Sequence, residues 1–142
     1  MIIYIAAPFR RYKEAYRAEC TLREAGLIPD EPTNRWIGHA MRSAGEDLSL
    51  QQEGLPSVFA RAAANIREND EDVGRCDLLL ALAYPDEGGE MFAEVARALH
   101  LGKPVAWVGE RLILSCFRQG VTIYPSVQAV ADALRSQNGI ST

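Results

Sequence analysis

An acidic segment with two adjacent glycines is the part of this sequence best suited to chemistry. Residues 85–94 read PDEGGEMFAE and carry four carboxylates, those of Asp86, Glu87, Glu90 and Glu94. Gly88 and Gly89 would let the backbone approach a ligand closely. A plainer interpretation is a turn whose acidic side chains complement the positive end of the following helix. The segment alone leaves both interpretations open.

Glu94 differs from the other three carboxylates in its neighbours. At helical spacing it shares a face with Met91, Ala98 and Leu101, which are all apolar. A carboxylate on a largely apolar helix face is uncommon unless it has a function. We therefore take Glu94 as the candidate catalytic residue.

Further polar side chains follow or precede apolar runs. Tyr4 lies in the first apolar run. Either its hydroxyl lies in the ligand crevice at the end of the strand, or it is a buried tyrosine with one hydrogen bond. Arg10 and Arg11 could meet a phosphate or be solvated charges. Trp36 either stacks on a base or fixes its loop to the core. Asn69 could reach a ligand crevice, or belong to a charged helix end.

The alternation of apolar runs and helical patterns predicts how these residues are positioned. Strands are predicted at residues 2–6, 27–28, 78–83, 104–108 and 121–124, and helices at 12–25, 57–74, 90–101, 110–119 and from 126. Residues 30–56 are irregular, with a short helical piece. This order predicts an α/β fold, a flavodoxin-like doubly wound sheet of about five parallel strands with helices on both faces. Ligands of such sheets bind beyond the carboxyl ends of the strands.

Composition limits the function classes. The chain has 142 residues, 48% of them hydrophobic and 24% charged, which is typical of a single globular domain over residues 1–142. Its net charge of −4 disfavours a nucleic acid polymer as partner. No apolar run is long enough for a membrane span, and no secretory leader is recognisable, so we expect a cytoplasmic protein.

No metal or organic cofactor is indicated. The sequence contains three cysteines without CxxC spacing and two histidines, too few for a multi-histidine metal centre. It lacks both GxxxxGK[ST] and a GxGxxG after the first strand, so nucleoside triphosphate hydrolysis and dinucleotide binding are poorly supported.

Three blocks of sequence resemble the nucleoside 2-deoxyribosyltransferase family, which includes N-glycosidases that cleave nucleosides and nucleotides. They are the opening MIIYIAAPF, residues 64–81 around NDEDVGRCDLLLA, and residues 88–111, GGEMFAEVARALHLGKPVAWVGER. The last block is the most specific, and its glutamate falls on Glu94. The resemblance implies an enzyme.

The implied chemistry begins with a carboxylate that attacks the anomeric carbon of a 2′-deoxyribonucleoside and releases the base. Glu94 would be the nucleophile, and Tyr4 would hold it by a hydrogen bond. A second nucleobase then captures the deoxyribosyl group. The alternatives are hydrolysis of (deoxy)nucleoside 5′-monophosphates to free base, or a catalytically silent nucleotide-binding module.

The resemblance also implies substrate contacts and an assembly. The expected substrate-binding residues are Pro8, Phe9, Arg10, Asn69, Asp86, Gly88, Gly89 and Met91. Asn69 stands where the family has an aspartate, and residues 111–115 offer no match for a family asparagine. The partners would be a small nucleoside or nucleotide and a nucleobase. A homo-oligomer, a dimer or larger, is expected.

Overall fold

The computed structural model describes residues 1–29, 34–42, 55–85, 89–110, 112 and 118–138. The strands are β1 (Ile3–Ala6), β2 (Leu78–Ala83), β3 (Val105–Gly109) and β4 (Val121–Tyr124). A 3-10 turn (Phe9–Arg11) precedes the helices α1 (Tyr12–Glu24), α2 (Arg35–Arg42), α3 (Leu55–Arg75), α4 (Glu90–His100) and α5 (Val127–Gln137).

The four strands form one parallel sheet in the order β1-β2-β3-β4. In its register Tyr4 lies beside Leu79, Leu79 beside Val105, and Val105 beside Val121. Every residue of β2 is buried, as its unbroken apolar sequence predicts for a central strand covered on both faces. The flavodoxin-like α/β class is confirmed.

Helices cover both faces of the sheet. α1 packs on α5 on one face, α3 packs on α4 on the other, and α2 contacts both α1 and α3. Side chains alternate along a strand, so Tyr4 of β1 and Trp107 of β3 face the α3/α4 layer. There the Trp107 ring stacks on Phe92 of α4, with centroids 6.0 Å apart. This layer carries the candidate site.

The predicted strand at residues 27–28 is wrong. Leu27 and Ile28 are buried, but they form bends after α1, and the sheet of the described residues has four strands instead of about five. In the flavodoxin-like order the second strand would lie beside β1. That position is taken by side chains.

Asn34 and Trp36 satisfy the outer edge of β1. The Ile5 N–H donates to Asn34 Oδ1 at 2.8 Å, and Asn34 Nδ2 donates to the Ile3 carbonyl at 3.1 Å. Trp36 Nε1 donates to the Ile5 carbonyl at 2.8 Å. Unpaired backbone donors and acceptors on an edge strand can pair with another strand. Here the side chains of Asn34 and Trp36 form the hydrogen bonds that a fifth strand would otherwise form with β1. Trp36 thereby fixes its segment to the core.

The remaining element boundaries agree with the sequence patterns to within about two residues. The short helical piece in residues 30–56 is α2. Ser126 caps α5, where its Oγ accepts from the Ala129 N–H at 3.0 Å. The helix predicted at residues 110–119 falls mostly outside the described residues. Among the described helices, none combines the length and the hydropathy that a bilayer crossing requires.

Candidate active site

A tyrosine and a glutamate meet on the α3/α4 face of the sheet. Tyr4 of β1 is 2% exposed, and Glu94 lies in the second turn of α4. The Tyr4 hydroxyl donates to Glu94 Oε2. α4 is held against the sheet by the buried side chains of Met91 and Val95, so the flanking Glu94 is drawn to a half-buried position above β1.

Burial raises the pKa of Glu94 from an ordinary 4.5 to about 8. The hydrogen bond from Tyr4 opposes this rise because it stabilises the carboxylate, whereas the negative charges of Glu90 and Asp70 add to it. Burial and the nearby Glu94 charge raise the pKa of Tyr4 well above 10, so Tyr4 remains a donor. At neutral pH Glu94 is therefore largely protonated, and its carboxylate forms as the pH approaches 8.

This displaced pKa predicts a pH-dependent stability. An unfolded glutamate ionises near 4.5 and folded Glu94 near 8, so the folded state binds the extra proton between these values. The stability that this proton contributes is complete below pH 4.5 and is lost as the pH rises through 8. Glu94→Gln removes the titration while keeping an acceptor for Tyr4. We expect the variant to exceed the parent chain in free energy of unfolding at pH 8 by on the order of 4 kcal/mol.

Urea unfolding at pH 5 and pH 8 checks this expectation. The two proteins should have similar free energies of unfolding at pH 5 and separate at pH 8. Glu24→Gln is the matched control, because Glu24 is exposed at the end of α1. Parallel pH curves for the parent chain and the Glu94 variant would show that Glu94 titrates normally.

Asp70 is a site residue that the sequence did not single out. Its negative charge raises the pKa of Glu94, and Arg97 of α4 lies 3.7 Å from its carboxylate. The predicted substrate contact Asn69 is the preceding residue of α3 and is half-buried. The packing of α3 on α4 brings Asp70 near Glu94. The only sequence signal was the position of Asp70 next to Asn69.

A buried carboxylate, Asp72, supports the tyrosine side of the site. It is 6% exposed and accepts from two arginines, Arg35 Nη2 at 2.7 Å and Arg75 Nη2 at 2.5 Å. Its negative charge contributes to the raised pKa of Tyr4. The ion pair with Arg35 ties α2 to α3 across the side of the site. Sequence reasoning missed Asp72, since its partner Arg35 is far away in the chain.

Three of the predicted substrate-binding residues, Pro8, Phe9 and Arg10, lie in the turn after β1. The Pro8 carbonyl accepts from the Arg11 N–H at 2.8 Å, which closes the 3-10 turn. Phe9 is half-buried, with its ring centroid 6.4 Å from that of Trp36. Arg10 is exposed, whereas the Arg11 guanidinium lies 4.4 Å from the centroid of the Tyr84 ring.

Two more of the predicted substrate-binding residues, Gly89 and Met91, lie at the start of α4. Gly89 is exposed with φ +71, a left-handed conformation that favours glycine, and its carbonyl accepts from the Phe92 N–H. Met91 is 1% exposed, so its side chain packs in the core beneath the helix. Asp86 and Gly88 lie outside the described residues.

A cavity of about 280 Å³ lies on the opposite face of the sheet. α1, the ends of β2 and β3, and the start of α5 line it, through residues such as Arg17, Leu82 and Val127. Neither Tyr4 nor Glu94 lines this cavity. The tyrosine–glutamate pair and the cavity are therefore separate features of the fold.

Comparison with solved structures shows a known architecture. The 2-deoxyribosyltransferase of the psychrotolerant bacterium Bacillus psychrosaccharolyticus is similar with a TM-score of 0.63 at 17% identity, over 92% of this chain and 90% of that chain. The Clostridium botulinum CMP N-glycosidase BcmB is similar with a TM-score of 0.53 at 15% identity, over 94% of this chain and 98% of that chain.

Sequence comparison adds nothing to the structural likeness: no protein-family model and no curated protein matches the chain. At these identities the likeness shows the fold. The resemblance that the sequence motifs predict is thus confirmed as a structural kinship to a 2-deoxyribosyltransferase and an N-glycosidase.

Proposed function

We propose that this protein cleaves the N-glycosidic bond of a 2′-deoxyribonucleoside and transfers the deoxyribosyl group to another nucleobase. The observation that carries the proposal is the half-buried Glu94 carboxyl group held by Tyr4, on a fold shared with a 2-deoxyribosyltransferase. A buried carboxylate with one oriented oxygen is suited to stabilise, and then to bond with, a sugar cation.

The proposed reaction has two steps. The Tyr4 hydroxyl holds Oε2, so Oε1 of ionised Glu94 is left to attack C1′. The C1′–N bond breaks, its electron pair leaves with the base, and the base takes up a proton. A second nucleobase then attacks C1′ through a ring nitrogen and loses its proton, and the ester bond to Glu94 breaks. The carboxylate is restored, and its negative charge stabilises the oxocarbenium-like transition state of both steps.

Hydrolysis is the second candidate. Water would replace the incoming base and release free deoxyribose or its phosphate. The structural likeness to a CMP N-glycosidase and the exposed Arg10 in the turn after β1, which could bind a 5′-phosphate, favour this candidate.

Removing the Tyr4 hydroxyl should shift the pH dependence of catalysis upward. The attacking form of Glu94 is the carboxylate, so kcat/KM should rise with pH, be half-maximal near pH 8 and level off above it. The hydrogen bond from Tyr4 lowers the pKa of Glu94, so Tyr4→Phe moves this rise to higher pH and slows cleavage at pH 7 by roughly tenfold. Tyr124→Phe, on the far strand β4, is the control. A pH profile of Tyr4→Phe that superimposes on the parent profile contradicts the proposed role.

A product assay tests the proposed function. The purified chain is incubated with each deoxynucleoside and each deoxynucleoside monophosphate, with and without added adenine, and the products are separated by chromatography. A new deoxynucleoside that appears only with adenine supports transfer. Free base alone supports hydrolysis. No product with any substrate would leave a silent nucleotide-binding module.

Assembly into a dimer or larger homo-oligomer stays a prediction.

A further inference from the structure

A second carboxylate stands one helical turn from Glu94. Glu90 is in the first turn of α4, four residues before Glu94, and it is exposed. Side chains four apart on a helix lie on one face, with Cβ atoms about 6 Å apart. In the part of the chain that the structure describes, no hydrogen bond or ion pair engages the Glu90 carboxylate. Its charge therefore lies one helical turn from Glu94, on which it acts.

Three arginines around this face are paired with acids. Arg97 of α4 lies 3.7 Å from the Asp70 carboxylate. Arg35 and Arg75 both contact the buried Asp72. None of these three arginines is paired with Glu90. The electrostatic effect of Glu90 and Asp70 on the pKa of Glu94 is consistent with a negative potential at this position.

We propose that Glu90 makes the site select a nucleoside over its 5′-monophosphate. This inference rests on the proposed function, because it takes C1′ of the substrate to lie at Glu94. Glu90 lies one helical turn from Glu94, with Cβ atoms about 6 Å apart. A 5′-phosphate on the same substrate is therefore exposed to the charge of Glu90 at low ionic strength, where the Debye length exceeds about 10 Å. The uncharged 5′-hydroxyl of a nucleoside meets no such repulsion and can donate a hydrogen bond to a carboxylate.

The test compares kcat/KM for one deoxynucleoside and for its 5′-monophosphate at low ionic strength. The parent chain should favour the nucleoside, and Glu90→Gln should reduce this preference about tenfold. Added salt should reduce the preference of the parent chain but have little effect on that of Glu90→Gln. Glu24→Gln removes the same charge far from the site, at the end of α1, and should keep the parent ratio.

Two outcomes would overturn the inference while the proposed function stands. One is a parent chain that favours the monophosphate, with Arg10→Gln removing that preference. The other is a Glu90→Gln ratio equal to that of Glu24→Gln. If the parent chain cleaves neither compound, the proposed function fails. The affinities of the nucleoside and of its monophosphate are then measured by calorimetry for the parent chain and for Glu90→Gln. Tighter binding of the nucleoside that weakens to near parity in Glu90→Gln supports the selectivity. Equal affinities of the parent chain for the two compounds overturn it.

Discussion

Glu94→Gln should lower the rate of base release by at least about a thousandfold, because an amide can neither form the glycosyl ester nor carry the negative charge that stabilises the sugar cation. Glutamine has nearly the same shape and still accepts the hydrogen bond from Tyr4, which that residue gives to Glu94 Oε2. The loss should therefore appear without loss of the fold. The measurement is the initial rate of base release, followed by chromatography at pH 8, where the carboxylate of the parent chain is well populated.

The control for this prediction is an exposed carboxylate far from the site. Glu24→Gln removes the same charge at the end of α1, so base release from a deoxynucleoside should match that of the parent chain. A thermal melt shows whether each variant is folded. A folded Glu94→Gln protein that retains more than about a tenth of the parent rate would remove Glu94 from the nucleophile role.

Gly109→Ala should destabilise the protein by about 4 kcal/mol or more, or prevent folding. Gly109 ends β3 with φ +134, a conformation open to glycine and strained for other residues. A Cβ at this position would overlap the Ala83 carbonyl oxygen and come within 2.8 Å of its carbonyl carbon. Ala83 is the partner of Gly109 in the central strand pair, so neither backbone can retreat without breaking the sheet.

Gly74→Ala, in contrast to Gly109→Ala, should increase the stability of the protein. Gly74 lies in α3, where a Cβ would meet no atom within 4 Å. Alanine is favoured over glycine in a helix, so this variant should be stabilised by roughly 0.5 kcal/mol. Urea unfolding of both variants is the measurement. A Gly109→Ala protein as stable as the parent chain would show that β2 and β3 are further apart than the structure places them.

The sequence was informative where one local pattern sufficed. The unbroken apolar run of β2 predicted a buried central strand, and Ser126 before an amphipathic stretch predicted the cap of α5. The strand expected at residues 27–28 failed for a non-local reason. Two apolar residues fit a strand, but the edge of β1 that would receive them is satisfied by Asn34 and Trp36. No local pattern announces such a replacement.

In the candidate site too, the sequence predicted the features that local patterns or the family resemblance indicate, and missed those that depend on packing between helices. Glu94 stands out in the sequence because its helical neighbours are apolar, and its contact with Tyr4 was expected from the family resemblance. The raised pKa of Glu94 was not predictable, since it depends on burial and on Asp70, which only the packing of α3 against α4 brings near. Asp72 escaped notice because Arg35, its partner, is supplied by another helix.

The most direct test of the account is to trap the bond that it requires. The protein is mixed with a deoxynucleoside in the absence of any acceptor base, quenched in acid within the first turnover, digested and analysed by mass spectrometry. The account predicts that the peptide containing Glu94 gains the mass of one deoxyribosyl group, and that Glu94→Gln shows no such gain. Release of base with an unmodified Glu94 peptide, or with the sugar on another residue, would contradict it.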